Sequence, residues 1–389
     1  MGQPVLRLKR GREHLRTHPW IFKGDVADVT DVEPGAVATV LDSRARFVGR
    51  GHYNPRPALC CRILTRLNEP IDASFFRRRF AAASAQRPGA TREGWVGRLV
   101  WSEADGLPGL VIDRYGSVLV VQCSTLGMVH ARETIVAGVL EVGGDLHVFG
   151  WDDPLTARFE GFEPARGWLG RPGPAQLVVE ENSVKFEVTF GAAQKTGLYL
   201  DQAENRRRVG ALARDRAVLD VFAYTAGFAC HALAAGARSA LCVESGADAV
   251  RVARANLELN GMADRAEIRP VNAFDELRQL ERARARFDLV VLDPPPFARS
   301  RSALDAATRG YKEINLRAMK LLEPGGLLAT FSCSHHVSEG LFEEICRAAA
   351  TDAGATLRVL DRLTQSPDHP VLLTVPETRY LKGLLLEAL

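Results

Sequence analysis

Several features that would assign the sequence to a special class of protein are missing from it. The 389 residues contain no run of 18 apolar residues, so no transmembrane helix is predicted. The basic N-terminal stretch MGQPVLRLKRGREHLR lacks an apolar core, and we therefore expect no secretory signal. The seven cysteines include no CxxC pair, and their odd number argues against a disulfide framework. These absences predict a cytoplasmic protein with free thiols and no membrane partner.

The formal net charge is only +3, but positive charge is concentrated in the first 90 residues. Residues 1–70 hold 12 Lys and Arg against 7 Asp and Glu, and residues 71–90 hold 4 against 1. The first 90 residues therefore carry +8 and the other 299 carry −5. This asymmetry favours a polyanion partner, although solvated surface arginines would give the same pattern. The predicted phosphate contacts in this region are Lys9, Arg10, Arg12 and Arg16.

The first half of the chain predicts two kinds of structure in succession. Short apolar runs separated by turns, among them VLRL, DVADV, AVATVLD, RFVGRGHY and LCCRIL, are typical of a small β-barrel. Beyond it, the patterns predict a helix with an arginine face at 74–87, a hairpin at 106–123 and a helix at 127–142. A Gly/Pro-rich loop is expected at 167–176 and an alternating strand at 183–191.

From about residue 205, segments typical of strands and helices alternate. Five such pairs follow one another, beginning with RAVLDVF and FACHALAAGA and ending with LLATFSC and SEGLFEEICRAAA. The segments TLRVLDRL and TRYLKGLLLE predict two last strands. Five strand–helix units in series predict a parallel, doubly wound α/β sheet.

Four predicted strand ends carry polar residues, and ligands bind beyond the carboxyl ends of such strands. Asp220 ends the first strand and is followed by a loop containing Gly227, although the loop is not GxGxxG. Glu244 follows the second strand, where an acid commonly binds ribose hydroxyls. Asn272 follows the third, where it could bond an adenine edge, and Asp293 ends the fourth before three prolines that fix an extended lip.

Each of these residues alone has an ordinary explanation as a turn, cap or surface residue, but four in order resemble the site of class I S-adenosylmethionine methyltransferases. DPPPF resembles the (D/N)PPx signature, and VLDVFAYTAGF resembles the DxFxYTGGF loop of one RNA methyltransferase group. EADGLPGLVIDRYG, QKTGLYLDQAENRR, YKEINLRAMKLL, SCS and PDHPVL…YLKG resemble the same group, the RlmI-type enzymes. The resemblance covers nearly the whole chain in order and spacing.

The resemblance implies three domains and a reaction. It implies a PUA-like RNA-binding β-barrel at 1–70, a central α+β domain at 71–182 and a Rossmann-like methyltransferase domain with a seven-stranded, mostly parallel sheet at 183–389. The implied reaction is methylation of carbon 5 of a cytosine in large-subunit (23S) ribosomal RNA, with S-adenosylmethionine as cofactor. The sequence does not determine which nucleotide is methylated, whether the substrate is naked RNA or a precursor particle, or whether the protein forms a homodimer.

The predicted cofactor site follows the four strand ends. Its residues are Gln202, Asp220, Phe222, Tyr224, Thr225, Gly227, Phe228, Glu244, Ser245, Asn272, Ala273, Phe274, Asp293 and Pro294. The sequence departs from the family pattern where Ala193 and Ala226 replace glycines, both small for small, and where Ala203 replaces an arginine. Ala203 removes a cation, which argues against an RNA contact at position 203. Further RNA contacts are predicted at Lys195, Arg206 and Arg207, with a solvated helix face as the alternative.

Cys333, in the stretch LATFSCSHHVSEG, has three interpretations: a nucleophile, a metal ligand with His335 and His336, or a buried thiol. A metal site needs three or four ligands at recurring spacing, which are not present, so no metal is predicted. Cytosine carbon 5 is a poor nucleophile, and a thiolate that adds to carbon 6 activates it. The DPPPF motif has no second cysteine, so the resemblance implies that Cys333 acts alone. Asp293, at the end of the neighbouring strand, could hold the ring nitrogen or the exocyclic amine of the base.

Three other functions stay open at this point. An enzyme of a neighbouring type would use DPPPF to methylate a nitrogen and leave Cys333 idle. A uridine carbon 5 enzyme would need the same cysteine. An RNA-binding assembly factor with an inactive methyltransferase domain would need neither cofactor nor thiol.

Overall fold

The computed structural model describes residues 4–12, 15, 17–191, 198–298 and 300–389. The chain forms two compact units built from discontinuous segments. The first consists of Met1–Val179, Val188–Thr196 and Pro367–Thr378, and the second of Glu180–Glu187, Gly197–Ser366 and Arg379–Leu389. The expected three-domain division with bounds at 70 and 182 stays a prediction.

The first unit begins with a six-stranded sheet in the order β2-β6-β5-β4-β1-β3. Alternating residues of these strands, such as Leu6, Leu8 and Val40, are buried in one small core, as the apolar runs predicted. The strand β2 was not expected, because its three residues are too few to show a period. The strands are β1 (Val5–Leu8), β2 (Trp20–Phe22), β3 (Val26–Thr30), β4 (Val37–Leu41), β5 (Phe47–Tyr53) and β6 (Leu59–Thr65).

A five-stranded sheet with order β11-β10-β9-β8-β7 and several helices completes this unit. The expected hairpin is present as antiparallel β8 and β9, but the helix expected at 127–142 is two helices, because the backbone leaves helical geometry at Ala131. The loop expected at 167–176 begins inside a short strand. The elements are α1 (Ala73–Ala85), β7 (Val96–Trp101), β8 (Leu110–Tyr115), β9 (Val118–Cys123), α2 (Leu126–His130), α3 (Arg132–Gly143), β10 (His147–Trp151), α4 (Pro154–Glu160) and β11 (Arg166–Trp168).

A separate two-stranded hairpin follows, formed by β12 (Gln176–Glu181) and β13 (Val184–Thr189). Its two turn residues, Asn182 and Ser183, have φ of 49° and 67°. Left-handed backbone at both positions is typical of the turns that match the twist of tight hairpins.

The second unit is built on a seven-stranded sheet with the order β16-β15-β14-β17-β18-β20-β19. Its first five strands are parallel, and β20 runs antiparallel to both of its neighbours. Each strand–helix pair expected from the sequence is present. The elements are α5 (Ala203–Gly210), β14 (Ala217–Val221), α6 (Gly227–Ala234), β15 (Ser239–Val243), α7 (Ala247–Leu259), β16 (Ala266–Arg269), α8 (Ala273–Arg282), β17 (Phe287–Leu292), α9 (Leu304–Lys320), β18 (Leu322–Ser332), α10 (Glu339–Ala353), β19 (Leu357–Thr364) and β20 (Lys382–Ala388).

The core of this unit lies on both faces of the sheet, as expected for parallel strands covered by helices. Central strand residues such as Leu219, Val290 and Leu328 are fully buried, and Tyr311 and Phe342 pack against them from α9 and α10. The parallel register brings the carboxyl ends of β14, β15, β17 and β18 to one edge of the sheet. Among the described residues, no helix is long and apolar enough to cross a membrane.

Candidate active site

Cys333 lies immediately after β18, at the carboxyl edge of the sheet. It is partly exposed, whereas the other six cysteines are buried. Its thiol faces the carbonyl oxygen of Pro294, with a sulfur–oxygen distance of 3.9 Å. Burial raises the pKa of Cys123, Cys230 and Cys346 to about 12, so these thiols stay protonated near neutral pH. Cys333 is therefore the accessible thiol of the chain.

Asp293 follows β17 and is joined to a chain of amide side chains. Gln202 donates from Nε2 to Asp293 Oδ1 at 3.0 Å, and its own Oε1 accepts from Asn205 Nδ2 at 2.6 Å. Asn205 also donates to the carbonyl oxygen of Thr364 at 2.9 Å. Because Gln202 and Asn205 are buried, these bonds fix the orientation of the carboxylate.

Tyr199 lies close to this carboxylate and thiol, and two further tyrosines belong to the same region of the unit. The ring of Tyr199 packs edge-on against Tyr224, with centroids 5.0 Å apart. Burial raises the pKa of Tyr199, and the neighbouring Tyr224, Asp293, Asp201 and Cys333 add to the effect. Tyr380 donates its hydroxyl to Asp201 at 2.6 Å. Aromatic faces beside a carboxylate and a thiol suit the binding of a planar base.

Ser334 holds the tip of β18 in place. Its hydroxyl oxygen lies 2.9 Å from the hydroxyl of Tyr311 and accepts the backbone N–H of Ala298 at 3.3 Å. Its carbonyl oxygen accepts from Lys382 Nζ at 2.6 Å. The bonds connect the Pro-rich lip, α9 and β20 to the residue that follows the cysteine.

The loop between β14 and α6 has an unusual backbone. Phe222, Tyr224 and Ala226 have φ of 63°, 49° and 60°, in the left-handed region that favours glycine. The loop is held by bonds from Tyr224 N to Glu244 Oε2 at 3.0 Å and from Ala226 N to the carbonyl of Ala223 at 2.8 Å. Strained backbone that is held by its surroundings is common at ligand sites.

Asp220 is the penultimate residue of β14 and is fully buried. Its Oδ2 accepts the N–H of Ala229 at 3.0 Å, while its Oδ1 has no hydrogen-bond partner among the described residues. Burial raises the pKa of Asp220 to about 7, and the charges of Asp293 and Glu244 add to this rise. An unsatisfied buried acceptor in a ligand-binding edge is positioned to receive a donor from a ligand.

Glu244, at the end of β15, uses both carboxylate oxygens to order neighbouring loops. Oε2 accepts from Tyr224 N at 3.0 Å, and Oε1 accepts from Gly246 N at 2.7 Å. Each oxygen keeps a further lone pair for a ribose hydroxyl. Ser245 is exposed beside it.

The residues after β16 supply a helix cap, Asn272, and one ring of an apolar wall, Phe274. Asn272 caps α8 with Oδ1, which accepts from Phe274 N at 2.9 Å, so its carbonyl oxygen has a structural function. The rings of Phe222, Phe274 and Phe297 pack on one another with centroids 5.8–6.5 Å apart. Ala273 is buried next to them. Such a cluster offers an apolar surface for a heterocycle.

The remaining predicted cofactor residues support the loop from below. Thr225 is buried and accepts from Asn256 Nδ2 through its carbonyl at 2.9 Å. The ring of Phe228 packs against Phe331, with centroids 5.5 Å apart. A methyl group at Gly227 would lie 2.8 Å from Arg206 Cδ. Pro294 is buried at the start of the lip.

These residues fit S-adenosylmethionine. The oxygen of Asp220 that has no partner among the described residues can accept a hydrogen bond from the cofactor. The carboxylate of Glu244 can accept ribose hydroxyls. The apolar wall of Phe222, Phe274 and Phe297 offers a surface for adenine. A side chain at position 227 would contact Arg206, so the start of α6 presents only backbone at this position.

Arg206 does not lie where a phosphate contact requires it. The side chain is buried, and its guanidinium forms two bonds with Glu181 at 2.8 and 2.7 Å and one with the carbonyl of Tyr199 at 3.0 Å. This placement speaks against the predicted RNA contact, because a buried bidentate pair is costly to open. Arg207 is exposed and pairs with Glu204.

Three of the four predicted N-terminal cations belong to the described residues, and they differ in exposure. Lys9 and Arg10 are exposed, and Lys9 donates to the carbonyl of Gly24 at 3.0 Å. Arg12 pairs with Asp25 at 2.7 Å, which reduces its availability to phosphate. Arg16 and Lys195, together with Ala193, lie outside the described residues.

The histidines near the cysteine do not complete a metal site. His335 and His336 are exposed, and the ring of His335 lies 5.9 Å from Tyr380. Within the described ranges, no group of three or more His, Cys, Asp or Glu could hold a metal ion. His369 of the DHP segment bonds Asp368 at 2.8 Å and packs on Trp101, in the first unit.

Sequence reasoning did not assign Tyr199, Asn205, Ser334 or Lys382 to the site. Lys382 stands at the head of the apolar run LLLE in β20, and a lysine opening an otherwise buried strand is a signal that could have been read. Tyr199 and Asn205 flank the predicted Gln202, but nothing in their spacing shows that Tyr199 would lie near Asp293 or that Asn205 would bond Gln202.

Comparisons with known proteins agree with this geometry. Residues 155–386 match the model of an S-adenosylmethionine-dependent methyltransferase family, and residues 5–66 match that of a PUA-like domain. The solved structure of SMU.776, a protein assigned as a methyltransferase and determined with SAH, superposes with a TM-score of 0.85 over 100% of both chains at 18% identity. The chain is thus an S-adenosylmethionine-dependent methyltransferase with a PUA-like N-terminal domain.

Full-length relatives define the family more closely. The chain is 39% identical over 388 residues to ribosomal RNA large subunit methyltransferase I of Klebsiella pneumoniae strain 342, covering 98% of this chain and 97% of the relative. It is 37% identical over 391 residues to the protein of the same name from Alteromonas mediterranea, covering 99% and 98%. The chain belongs to the ribosomal RNA large subunit methyltransferase I family, the RlmI-type enzymes.

Proposed function

We propose that the protein methylates carbon 5 of a cytosine in 23S ribosomal RNA through a covalent adduct with Cys333. The relatives' names support ribosomal RNA as the substrate, and the PUA-like domain supports RNA binding. The proposal places the enzyme with its RNA in the cytoplasm. Naked RNA and a precursor particle are both compatible with it, as is a homodimer.

The observation that carries the proposal is the position of Cys333. It is the partly exposed thiol among seven cysteines, and it lies 3.9 Å from the carbonyl of Pro294, the residue after Asp293. A thiol and a carboxylate at adjoining strand ends are the two groups that carbon 5 chemistry requires. A nitrogen methyltransferase would have no use for the thiol.

The chemistry divides among the residues as follows. When bound, S-adenosylmethionine supplies an electrophilic methyl group. The Cys333 thiolate adds to carbon 6 of the cytosine, which makes carbon 5 nucleophilic. Asp293, held by Gln202, bonds the ring nitrogen or the exocyclic amine and keeps the base oriented. Methyl transfer to carbon 5 would leave S-adenosylhomocysteine, and loss of the carbon 5 proton to solvent then expels the thiolate and restores the enzyme.

The test compares Cys333→Ala with Cys346→Ala. Cys346 is buried in α10 at 4% exposure, so its substitution controls for loss of a sulfur without loss of the accessible thiol. We expect Cys333→Ala to lose 5-methylcytidine formation by at least about a thousandfold, as for other lost nucleophiles, and Cys346→Ala to keep most of it. The product is identified by nucleoside mass spectrometry of ribosomal RNA incubated with cofactor and enzyme.

The same variants and two further measurements separate the alternatives. Retained methylation by Cys333→Ala would indicate nitrogen methylation, and a 5-methyluridine product would indicate the uridine enzyme. Absence of SAH binding in calorimetry would favour an inactive assembly factor. RNA containing 5-fluorocytosine adds a direct test, because carbon 5 then has no proton to lose and the adduct with Cys333 should persist on a denaturing gel.

A further inference from the structure

Lys382 is a buried lysine that the reaction described above does not use. It opens β20 directly opposite Ser332 in the antiparallel register with β18, so it lies beside the strand end that carries Cys333. Its side chain is buried at 9% exposure, and its ammonium donates to the carbonyl of Ser334 at 2.6 Å. A lysine is seldom buried unless its charge has a purpose or a partner.

We propose that Lys382 is a positioning residue whose ammonium group stabilises the thiolate of Cys333 and holds it in the reactive form. The inference rests on the proposed function, since it gives the nucleophile of that reaction its electrostatic support. The bond to Ser334 keeps the ammonium at the residue next to the cysteine.

The charges around Lys382 are consistent with this function. Burial lowers the pKa of Lys382 to about 8, while the charges of Cys333 and Glu339 act in the opposite direction and favour the ammonium form. A pKa of about 8 leaves Lys382 mostly protonated at neutral pH. The interaction is mutual: a cation that gains from the thiolate also favours the thiolate.

The other groups that face the thiol would not supply this help. Asp293 is a carboxyl that opposes a second negative charge when ionised. The hydroxyls of Tyr199 and Tyr311 are neutral, because burial raises the pKa of both. Among these neighbours of Cys333, Lys382 is therefore the source of positive charge. Partial burial strengthens the attraction, because the local dielectric is lower than that of water.

The alternative is that Lys382 only ties β20 to the tip of β18. A purely structural lysine would influence stability, but its removal would not change the pH at which Cys333 becomes reactive. The experiment therefore measures thiol ionisation rather than methylation alone.

The test is the pH profile of alkylation of the intact protein by iodoacetamide, followed by mass spectrometry. The six other cysteines are buried, so a single fast modification reports Cys333, and Cys333→Ala defines the background. In Lys382→Met we expect the profile to move up by about one pH unit or more and the rate at pH 7 to fall about tenfold or more. Lys382→Arg keeps the charge and should recover most of the reactivity.

The control is Lys320→Met, which removes a lysine that pairs with Glu281 at the end of α9. Its alkylation profile should match that of the unchanged protein. Folding of every variant is checked by SAH binding and by its unfolding midpoint. An unchanged profile in folded Lys382→Met would overturn the proposal. So would a profile of the unchanged protein with its midpoint at or above that of a free cysteine, about 8.5, whether or not any variant folds.

The outcomes separate this inference from the proposed function. Loss of methylation in Cys333→Ala with no effect of Lys382 on the alkylation profile would leave the reaction intact and refute the function of the lysine. An alkylation profile that depends on Lys382, combined with an active Cys333→Ala variant, would support the function of the lysine and refute the proposed reaction.

Discussion

Single residues in the loop between β14 and α6 show how the cofactor site is maintained against local strain. Three non-glycine residues of this loop have left-handed backbone, each at a cost on the order of 1–2 kcal/mol. The hydrogen bond from Tyr224 N to Glu244 and the burial of Ala226 offset part of this cost. The family pattern has glycine at 226, and the positive φ there explains the preference.

Gly227, next in the chain, should not tolerate a side chain. In Gly227→Ala the new methyl would lie 2.8 Å from Arg206 Cδ, and Arg206 cannot move without opening its bidentate pair with Glu181. We expect the free energy of unfolding to fall by about 1–3 kcal/mol and SAH to bind more weakly. Urea unfolding and titration calorimetry measure the two effects.

Gly340→Ala is the matched control, because Gly340 also lies in the first turn of a helix but has no atom within 4 Å of an added methyl. Its unfolding free energy should stay within about 1 kcal/mol of the unchanged protein, with any change stabilising. Equal losses in the two variants would mean that helix position, and not the contact with Arg206, determines the cost.

Asp220 predicts a pH dependence of stability. Its pKa is about 7 in the folded protein against 3.8 when exposed, so the folded state keeps a proton that the unfolded state loses. The contribution to stability is therefore largest below pH 3.8 and declines as the pH rises to about 7, by about 4 kcal/mol at most. Above pH 7 a buried carboxylate remains, at full cost.

The substitution Asp220→Asn removes this titration while keeping the shape. The difference in unfolding free energy between the variant and the unchanged protein should therefore shift in favour of the variant between pH 4.5 and pH 8. Urea unfolding at several pH values measures it, and the titration of all other groups cancels in the difference. Two parallel stability curves would show that Asp220 has an ordinary pKa in the fold.

At the scale of elements, the strand tip that carries the thiol is positioned by a helix on one face of the sheet. Tyr311 in α9 is fully buried, packs on Phe297 with centroids 4.7 Å apart and reaches Ser334 with its hydroxyl. We expect Tyr311→Phe to lose about 1–2 kcal/mol of unfolding free energy, because the bonding partner is buried. It should also lower kcat several-fold while SAH affinity stays unchanged.

Thr308→Val provides the comparison within the same helix. In the described part of the chain its hydroxyl bonds only the carbonyl of Leu304, one turn away. Its loss should therefore leave kcat unchanged within about twofold. Steady-state methylation assays and SAH calorimetry on both variants test the difference. If both lower kcat equally, α9 acts through its general stability and not through the contact with Ser334.

Elements with a strong hydrophobic periodicity were predictable from the sequence. Elements that depend on tertiary contacts or on local backbone geometry were not. Strands β14 to β18 consist of apolar runs between clear helices, and each appears where the sequence indicated. Strand β2 is three residues long, and the break at Ala131 depends on local backbone geometry, so neither left a pattern. The same limit applies to Lys382, whose place beside Cys333 depends on the pairing of β20 with β18.

Across the whole molecule, the number of charged residues was evident from the sequence, but their positions in the fold were not. The excess of cations near the N-terminus was visible in the sequence, but the sequence could not show which arginines are used inside the protein. Arg206 looked like a surface cation in a basic run and is instead paired with Glu181 in the interior. We therefore expect an exposed site for RNA at residues such as Lys9 and Arg10, which face solvent.

If the basic surface of the PUA-like domain binds RNA, reversing its charge should weaken binding in a salt-dependent way. Lys9→Glu combined with Arg10→Glu should lower affinity for a ribosomal RNA fragment and reduce the slope of log K against log salt by about 1 to 2, because each phosphate contact contributes about 0.7 to 0.9. SAH affinity should not change.

The matched variant is Arg282→Glu with Arg284→Glu, which makes the same change of charge at two exposed residues at and after the end of α8. Filter binding at several salt concentrations compares the two. Equal losses in both variants would mean that overall charge, rather than the PUA-like surface, attracts the RNA, whereas a loss confined to the first pair would assign the contact to that surface.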